Sequence, residues 1–169
     1  MRVLKRHSVS GLPWVETGTY LGDTTRYLSS LTDKVVSIEP ELSLFKFATK
    51  RLKKFKNVEI RNGSSEEIFE RICNEMLGGA NFWLDGHFSG DVTFQGEMIS
   101  PIELELKHIT KLITKGADVS VFIDDFRLFV EKRELGYPDP ITLVNWAKLN
   151  NLNWTVEHDI FIAAKNLVN

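Results

Sequence analysis

Cysteine is nearly absent from this 169-residue chain: Cys73 stands alone, so no internal disulfide can form and thiolates cannot build a zinc site. A solitary thiol within a helical pattern is expected to pack as a small apolar group, and a reducing, cytoplasmic compartment is the expected address. Long hydrophobic runs are missing too. Nowhere do about eighteen apolar residues stand together as a membrane helix needs, and Met1 to Gly11 has no stretch of signal-peptide character. An excess of one charge is also lacking, and a formal net charge of -2 argues against nucleic acid or an anionic membrane as partner. The densest basic run, Lys50-Arg51-Leu52-Lys53-Lys54-Phe55-Lys56, reads as the solvated face and C-terminal end of a helix, where cations suit the dipole. Repeats, low-complexity tracts and linkers do not occur, so residues 1–169 are expected to form one domain with a sizeable core.

A glycine is missing as well. Trp14-Val15-Glu16-Thr17-Gly18-Thr19-Tyr20-Leu21-Gly22-Asp23-Thr24-Thr25 reads as a strand, a turn and the start of a helix, with Gly18 and Gly22 bracketing the turn. A nucleotide-like ligand at such a turn touches backbone, which a side chain would obstruct. Position 20 is nevertheless a bulky Tyr, and the third glycine of the dinucleotide-binding Gly-x-Gly-x-x-Gly is not there. What is there is Glu-x-Gly-x-x-x-Gly, followed by Asp23, Thr24 and Thr25, whose short polar side chains suit a first helical turn.

A plain strand-to-helix glycine turn is one reading of this stretch. The other is a likeness: an acid at the strand end ahead of the two glycines resembles the first motif of class I S-adenosylmethionine (SAM)-dependent methyltransferases. The resemblance implies that Glu16 faces the cationic end of the cofactor, directly or through water. It makes Thr17, Gly18, Thr19, Tyr20, Gly22 and Thr24 its companions in cofactor binding.

Further along, Lys34 to Glu41 gives a β-branched strand that ends in Glu39 and is stopped by Pro40. A carboxylate roughly 20 residues beyond the glycine turn is placed to accept hydrogen bonds from two ribose hydroxyls, against the bland reading of an exposed loop acid. Leu42 to Phe55 is an amphipathic helix with Leu44, Phe45, Phe47, Ala48 and Leu52 on its apolar face. Asn57 to Arg61 is a strand, and Ser64 with Glu67 forms a capping box that opens a helix from Ser65 to Met76. The methyltransferase resemblance sets this loop against adenine, which adds Gly63, Ser64 and Ser65 to the cofactor-binding candidates.

Ala80 to Asp85 is the next strand, Pro101 opens a helix to Thr114, and the strand Asp118 to Ile123 delivers Asp124 and Asp125. Phe126 to Pro140 reads as irregular, Ile141 to Leu149 as helix, and Asn153–Glu157 with Asp159–Ala164 as a hairpin around His158. Strands alternating with helices and ending in a hairpin predict an α/β fold, its sheet mainly parallel with one antiparallel strand. The resemblance implies more: a Rossmann-like methyltransferase fold with seven strands in the order 3-2-1-4-5-7-6 and helices on both faces.

Four strands end in acids, Glu16, Glu39, Asp85 and Asp124 with Asp125. In a parallel sheet these gather along one edge, where their repulsion demands a cation or raised pKa values. A sulfonium near Glu16 and a divalent ion near Asp85, Asp124 and Asp125 would each answer that demand, and oxygen ligands alone favour Mg²⁺ over Zn²⁺. Such an ion would lower the pKa of a substrate hydroxyl. His87 is then the best-placed general base beside Asp85, against the reading of a loop histidine bonded to its own turn.

Trp83-Leu84-Asp85-Gly86-His87-Phe88-Ser89-Gly90 and Phe122-Ile123-Asp124-Asp125-Phe126-Arg127 resemble a motif pair of bacterial small-molecule O-methyltransferases of the macrocin O-methyltransferase type. The resemblance spans roughly Trp14 to Arg127. It implies Mg²⁺ at Asp85, Asp124 and Asp125, and a small hydroxylated acceptor such as a sugar or secondary metabolite. Those enzymes carry an N-terminal extension over the substrate that is short here. The segments Phe88 to Ser100 and Phe126 to Tyr137 are therefore expected to form most of the acceptor pocket, with the second subunit of a homodimer as a further source. Two other classes fit parts of the pattern: a nicotinamide-dependent oxidoreductase, which shares the acid after the second strand, and a nucleotide-binding module without catalysis.

Overall fold

Runs of branched and aromatic residues become strands wherever both faces can be covered, and the strands here are four to six residues long. A computed structural model describes residues 2–85, 101–131 and 137–168. The strands are β1 (Trp14–Thr17), β2 (Val35–Glu39), β3 (Val58–Asn62), β4 (Gly79–Leu84), β5 (Asp118–Ile123), β6 (Asn153–Glu157) and β7 (Ile160–Ala164). They form one seven-stranded mixed sheet in the order β3-β2-β1-β4-β5-β7-β6. The β7 strand runs antiparallel to both β5 and β6, while β1 to β5 pair in parallel. Every residue of β1, β2, β4 and β7 is buried, whereas the two edge strands, β3 and β6, are polar and partly exposed, as edges must be to resist further pairing.

Alternation along the strands sends successive side chains into two cores. Val15, Val36, Phe82 and Val121 pack against α4 (Ser65–Glu75), α5 (Pro101–Thr114), α6 (Phe126–Glu131) and α7 (Pro140–Leu149). Trp14, Val35, Trp83 and Phe122 pack on the other face against α1 (Arg2–His7) and α2 (Asp23–Leu28). The remaining helix, α3 (Leu42–Leu52), lays Leu52 against the start of α2 at Gly22.

Three features differ from the sequence reading. The first residues form α1, which buries Val3 and Leu4; its end is fixed by the Ser120 hydroxyl, which donates to the His7 carbonyl at 2.8 Å. Phe126 to Glu131 is helical rather than irregular, because Phe126 stacks on Phe129 and Phe161 while Phe129 meets Tyr137 edge to face. Phe47, expected on the buried face of α3, is half exposed, since only Ala48 and Leu52 reach the core there.

Where β4 starts, Gly79 sits beside Asp118 with φ of 115°, and a Cβ added there would run into the Asp118 carbonyl. Gly79→Ala is expected to lower stability by more than about 1 kcal/mol, through both strain and collision. Urea unfolding of the two proteins checks this, and an unchanged midpoint would contradict the close approach of the strands.

Candidate functional site

Parallel pairing decides where the acids go. Thr17 at the end of β1 is in register with Ile38 on β2 and Leu84 on β4, and Leu84 with Ile123 on β5. Glu39, Thr17, Asp85 and Asp124 therefore follow one another along a single rim, the carboxyl edge of the sheet, where α/β folds bind ligands. Glu16 lies one residue deeper, in register with Ser37 and Trp83, and faces the α2 side.

The deeper position makes Glu16 the unusual group of the site. It is fully buried, and no cation approaches it among the described residues. The hydroxyls of Thr25 (2.5 Å) and Ser37 (2.6 Å) both donate to Oε2, and Thr19 Oγ1 meets the Ser37 hydroxyl at 2.5 Å. Oε1 has no partner among the described residues, and neither does the indole N–H of Trp83 in the same register row. Burial pushes the Glu16 pKa up from 4.5 to about 8, with the Asp85 and Glu39 charges adding to the rise and the two hydroxyls opposing it. This is the raised pKa that a convergence of acids requires.

Glu39 ends β2 as a receiver of hydrogen bonds. Oε2 accepts from the Tyr20 N–H at 2.7 Å and Oε1 from the Glu41 N–H at 3.0 Å, which leaves further lone pairs on each oxygen. The turn is closed by the N–H groups of Gly18 and Thr19, which both donate to the Ile38 carbonyl. Tyr20 is held at φ of 49° with the residue 63% exposed, an outlying conformation for a bulky residue and of the kind that gathers at binding sites. Gly18 is required twice over: φ is 86°, and a Cβ would lie 2.9 Å from the Asp85 carbonyl oxygen.

Other candidates take different parts. Gly22, at φ of 82°, is the N-cap of α2 without a side-chain cap, so the expectation that Asp23, Thr24 and Thr25 satisfy the free N–H groups is corrected. Asp23 pairs instead with Arg51 at 2.7 Å, Thr25 serves Glu16, and Thr24 is half buried. Pro40 is exposed, and the carbonyls of Glu39 and Pro40 both accept from the Asn62 amide. Gly63 N–H donates to the Glu39 carbonyl at 3.2 Å, which ties the third loop to the second. Ser64 N–H donates to Glu67 at 3.1 Å, and Ser65 begins α4 half buried.

The expected metal group does not assemble. Asp124 Oδ1 accepts the Asp125 N–H at 2.9 Å, while Asp125, at φ of 50°, turns to an ion pair with Arg127 at 2.8 Å, and Arg127 also binds Asp159. Among the described residues no three His, Cys, Asp or Glu side chains stand together as metal ligands would, so the Mg²⁺ expectation for Asp85, Asp124 and Asp125 is withdrawn. The Arg127 guanidinium balances the Asp125 charge instead. His87 and Phe88 to Ser100 lie outside the described residues, as does part of Phe126 to Tyr137.

Sequence reasoning named Tyr137 only as the end of the expected acceptor-pocket segment, and it missed Glu105. Burial raises the Tyr137 pKa, and the Asp125 and Asp85 charges add to the rise. Glu105 on α5 is buried, with the Thr17 and Ser65 hydroxyls beside its carboxyl. A charged residue at an inward position of an otherwise apolar helical stripe was the available signal.

The donor set fits an adenosine-bearing cation. Glu39 keeps acceptor capacity for a diol, Glu16 keeps a buried unpaired oxygen, and the glycine turn leaves backbone at the rim. Because the Glu16 carboxyl ionises near 4.5 when unfolded and only near 8 when folded, its contribution lowers stability as pH rises between those values and is constant above them. Glu16→Gln should therefore show a shallower fall of stability across this window, by the equivalent of one proton. Urea unfolding at several pH values measures it, and a slope identical to that of the parent protein would contradict the buried acid.

No known family's profile matches the chain, and no curated protein does. Solved structures do match in fold. A Streptococcus mutans protein in complex with SAH superposes with a TM-score of 0.57 at 15% identity, covering 96% of this chain and 92% of the other. Precorrin-6y C5,15-methyltransferase from Geobacter metallireducens gives a TM-score of 0.61 at 11% identity, covering 91% and 79%. An rRNA methylase from Streptococcus thermophilus gives 0.53 at 14% identity, covering 96% and 90%. The chain thus has the Rossmann-like fold of the class I SAM-dependent methyltransferases.

Proposed function

We propose that this protein is a SAM-dependent methyltransferase whose acceptor is a small hydroxylated molecule. The observation that carries the reading is the pairing of Glu39 with Glu16 on adjacent strand ends: one carboxylate at the rim with free acceptor capacity, the other a buried acid with an unmet oxygen. Glu39 would receive the ribose hydroxyls, and Glu16 would face the cationic arm. Gly18, Thr19 and Tyr20 would line the passage between them. When bound, the cofactor supplies an electrophilic methyl group on a sulfonium centre.

What the chain itself contributes is positioning and exclusion of water. Glu39 at the rim would fix the ribose, and the chain of hydrogen bonds from Thr25 through Glu16 and Ser37 to Thr19 holds the turn. A small hydroxylated acceptor is favoured over RNA by the net charge of -2 and by the acids along the rim, which would repel a polyanion. The likeness of Trp83–Gly90 and Phe122–Arg127 to the macrocin-type O-methyltransferases supports the same choice, with His87 as the group that accepts the hydroxyl proton and Tyr137 on the acceptor side. A second subunit, as in a homodimer, would complete the acceptor pocket. A nicotinamide cofactor is disfavoured by Tyr20, which stands where the dinucleotide turn keeps its second glycine.

Calorimetric titration tests the reading. SAM and SAH should bind the parent protein while NAD(H) does not, and Glu39→Ala should weaken SAH by about tenfold or more through lost hydrogen bonds to a charged group. Transfer of a labelled methyl group to a panel of sugars and phenols, with bulk RNA as comparison, then identifies the acceptor class. Binding of NAD(H) in preference to SAH, or an unchanged SAH affinity in Glu39→Ala, would overturn it.

A further inference from the structure

Of the eleven residues of α3 only Ala48 and Leu52 are buried. Leu44 and Phe45 are half buried, while Leu42 and Phe47 stand half in water. The rest of this stretch is cationic. From Leu42 to Asn57 the chain has Lys46, Lys50, Arg51, Lys53, Lys54 and Lys56 and neither Asp nor Glu, an excess that the formal net charge of -2 conceals by averaging. Arg51 is used within the fold: its guanidinium donates to Asp23 at 2.7 Å and to the Leu21 carbonyl at 2.5 Å. The lysines are not. Lys111 pairs with Glu70 and Lys165 with Asp118, whereas none of these five lysines forms an ion pair among the described residues; Lys54 lies over the Phe55 ring. The nearest acid in sequence, Glu41, accepts instead from the Ser43 hydroxyl and the Leu44 N–H at the start of the helix.

Such an arrangement costs the helix stability. Lys46 and Lys50 are four residues apart and Lys50 and Lys53 three, so they are neighbours on the side opposite Ala48 and Leu52, where like charges repel. The helix dipole accounts for cations in the last turn. It does not account for Lys46, nearer the start, or for apolar groups left in water beside it. Tyr20 and Leu21 add two more exposed apolar side chains, and the bond from Arg51 to the Leu21 carbonyl holds their turn against α3.

Independently of the methyltransferase reading, we propose that the outer face of α3, with the Tyr20–Leu21 turn beside it, docks reversibly on an anionic lipid bilayer. Unpaired lysines next to exposed Leu, Phe and Tyr suit that surface: the charges attract the headgroups, and the apolar side chains enter the interface. Nucleic acid fits less well. Phosphates are gripped best by the fork of an arginine, and the one arginine here is already engaged; Leu21 and Leu42 have no phosphate or stacked base to meet. Because α3 starts three residues after Glu39, docking sets the β2 end of the carboxyl rim beside the lipid.

Cosedimentation with vesicles tests this, comparing mixed phosphatidylserine and phosphatidylcholine with phosphatidylcholine alone. The parent protein should sediment with the mixed vesicles only and be released at high salt. Lys46→Glu should lose about tenfold or more in partitioning, with a melting temperature unchanged or higher, because an acid four residues before Lys50 replaces repulsion by attraction. Lys50→Gln should lose about fivefold and gives a second reading of the same face. Phe47→Ser should weaken binding while leaving its salt sensitivity in place. The inference is overturned if the parent protein ignores the mixed vesicles, binds phosphatidylcholine equally well, or stays bound at high salt. It is also overturned if Lys46→Glu and Lys50→Gln bind like the parent protein, which would place the contact elsewhere. Tighter binding to single-stranded RNA than to the mixed vesicles, indifferent to Phe47→Ser, would assign the lysines to nucleic acid instead.

Discussion

A carboxyl group is buried in the middle of the sheet, between parallel neighbours, with no cation beside it among the described residues, and much of the molecule is arranged around that fact. Glu16 can be there only because two hydroxyls from different elements, Ser37 on β2 and Thr25 on α2, donate to the same oxygen. Those bonds fasten the first strand to its neighbour and to the helix that follows it. Through Ser37 they reach Thr19, and so hold the turn that carries Gly18 and Tyr20. Replacing the acid by an apolar residue would serve packing better, since burying an ionisable group without a partner charge is costly. Its presence makes sense when the buried acid meets a ligand, and the ligand edge is one residue away.

The same logic applies on the other face of β1. Alternation sends Glu16 and Thr17 to opposite sides of one strand, and each side holds a buried carboxyl: Glu16 itself on the α2 side, and Glu105 of α5 beside the Thr17 and Ser65 hydroxyls. Proteins tolerate such locally unfavourable burial where function requires it, and the apolar packing of two large cores offsets it here.

Much of this was legible in the order of residues. Strand alternation, Pro40 after Glu39 and the Ser64–Glu67 pair gave the elements, and the chain of strand-end acids gave the rim. What could not be read was anything that depends on which partner a polar side chain chooses. Asp125 looked like a metal ligand beside Asp124, but Arg127 two residues away, anchored by Asp159 from the hairpin, takes it as an ion pair. Thr25 looked like a helix cap and is instead a donor to a buried acid. Glu105 sits in a helix whose apolar stripe hid it, because its significance lies in contacts with Thr17 and Ser65, far away in the chain. The helix α1 was overlooked for a similar reason: six residues have no periodicity to recognise, and its two apolar side chains matter only once β1 and β4 lie beneath them.

A crystal structure of the protein with SAH bound tests the central claim most directly. Density for the nucleoside at the carboxyl edge, with its ribose hydroxyls on Glu39 and its amino-acid arm beside the Glu16 strand end, is the expected result. Density elsewhere on the surface, with Glu39 and Glu16 untouched, would contradict it.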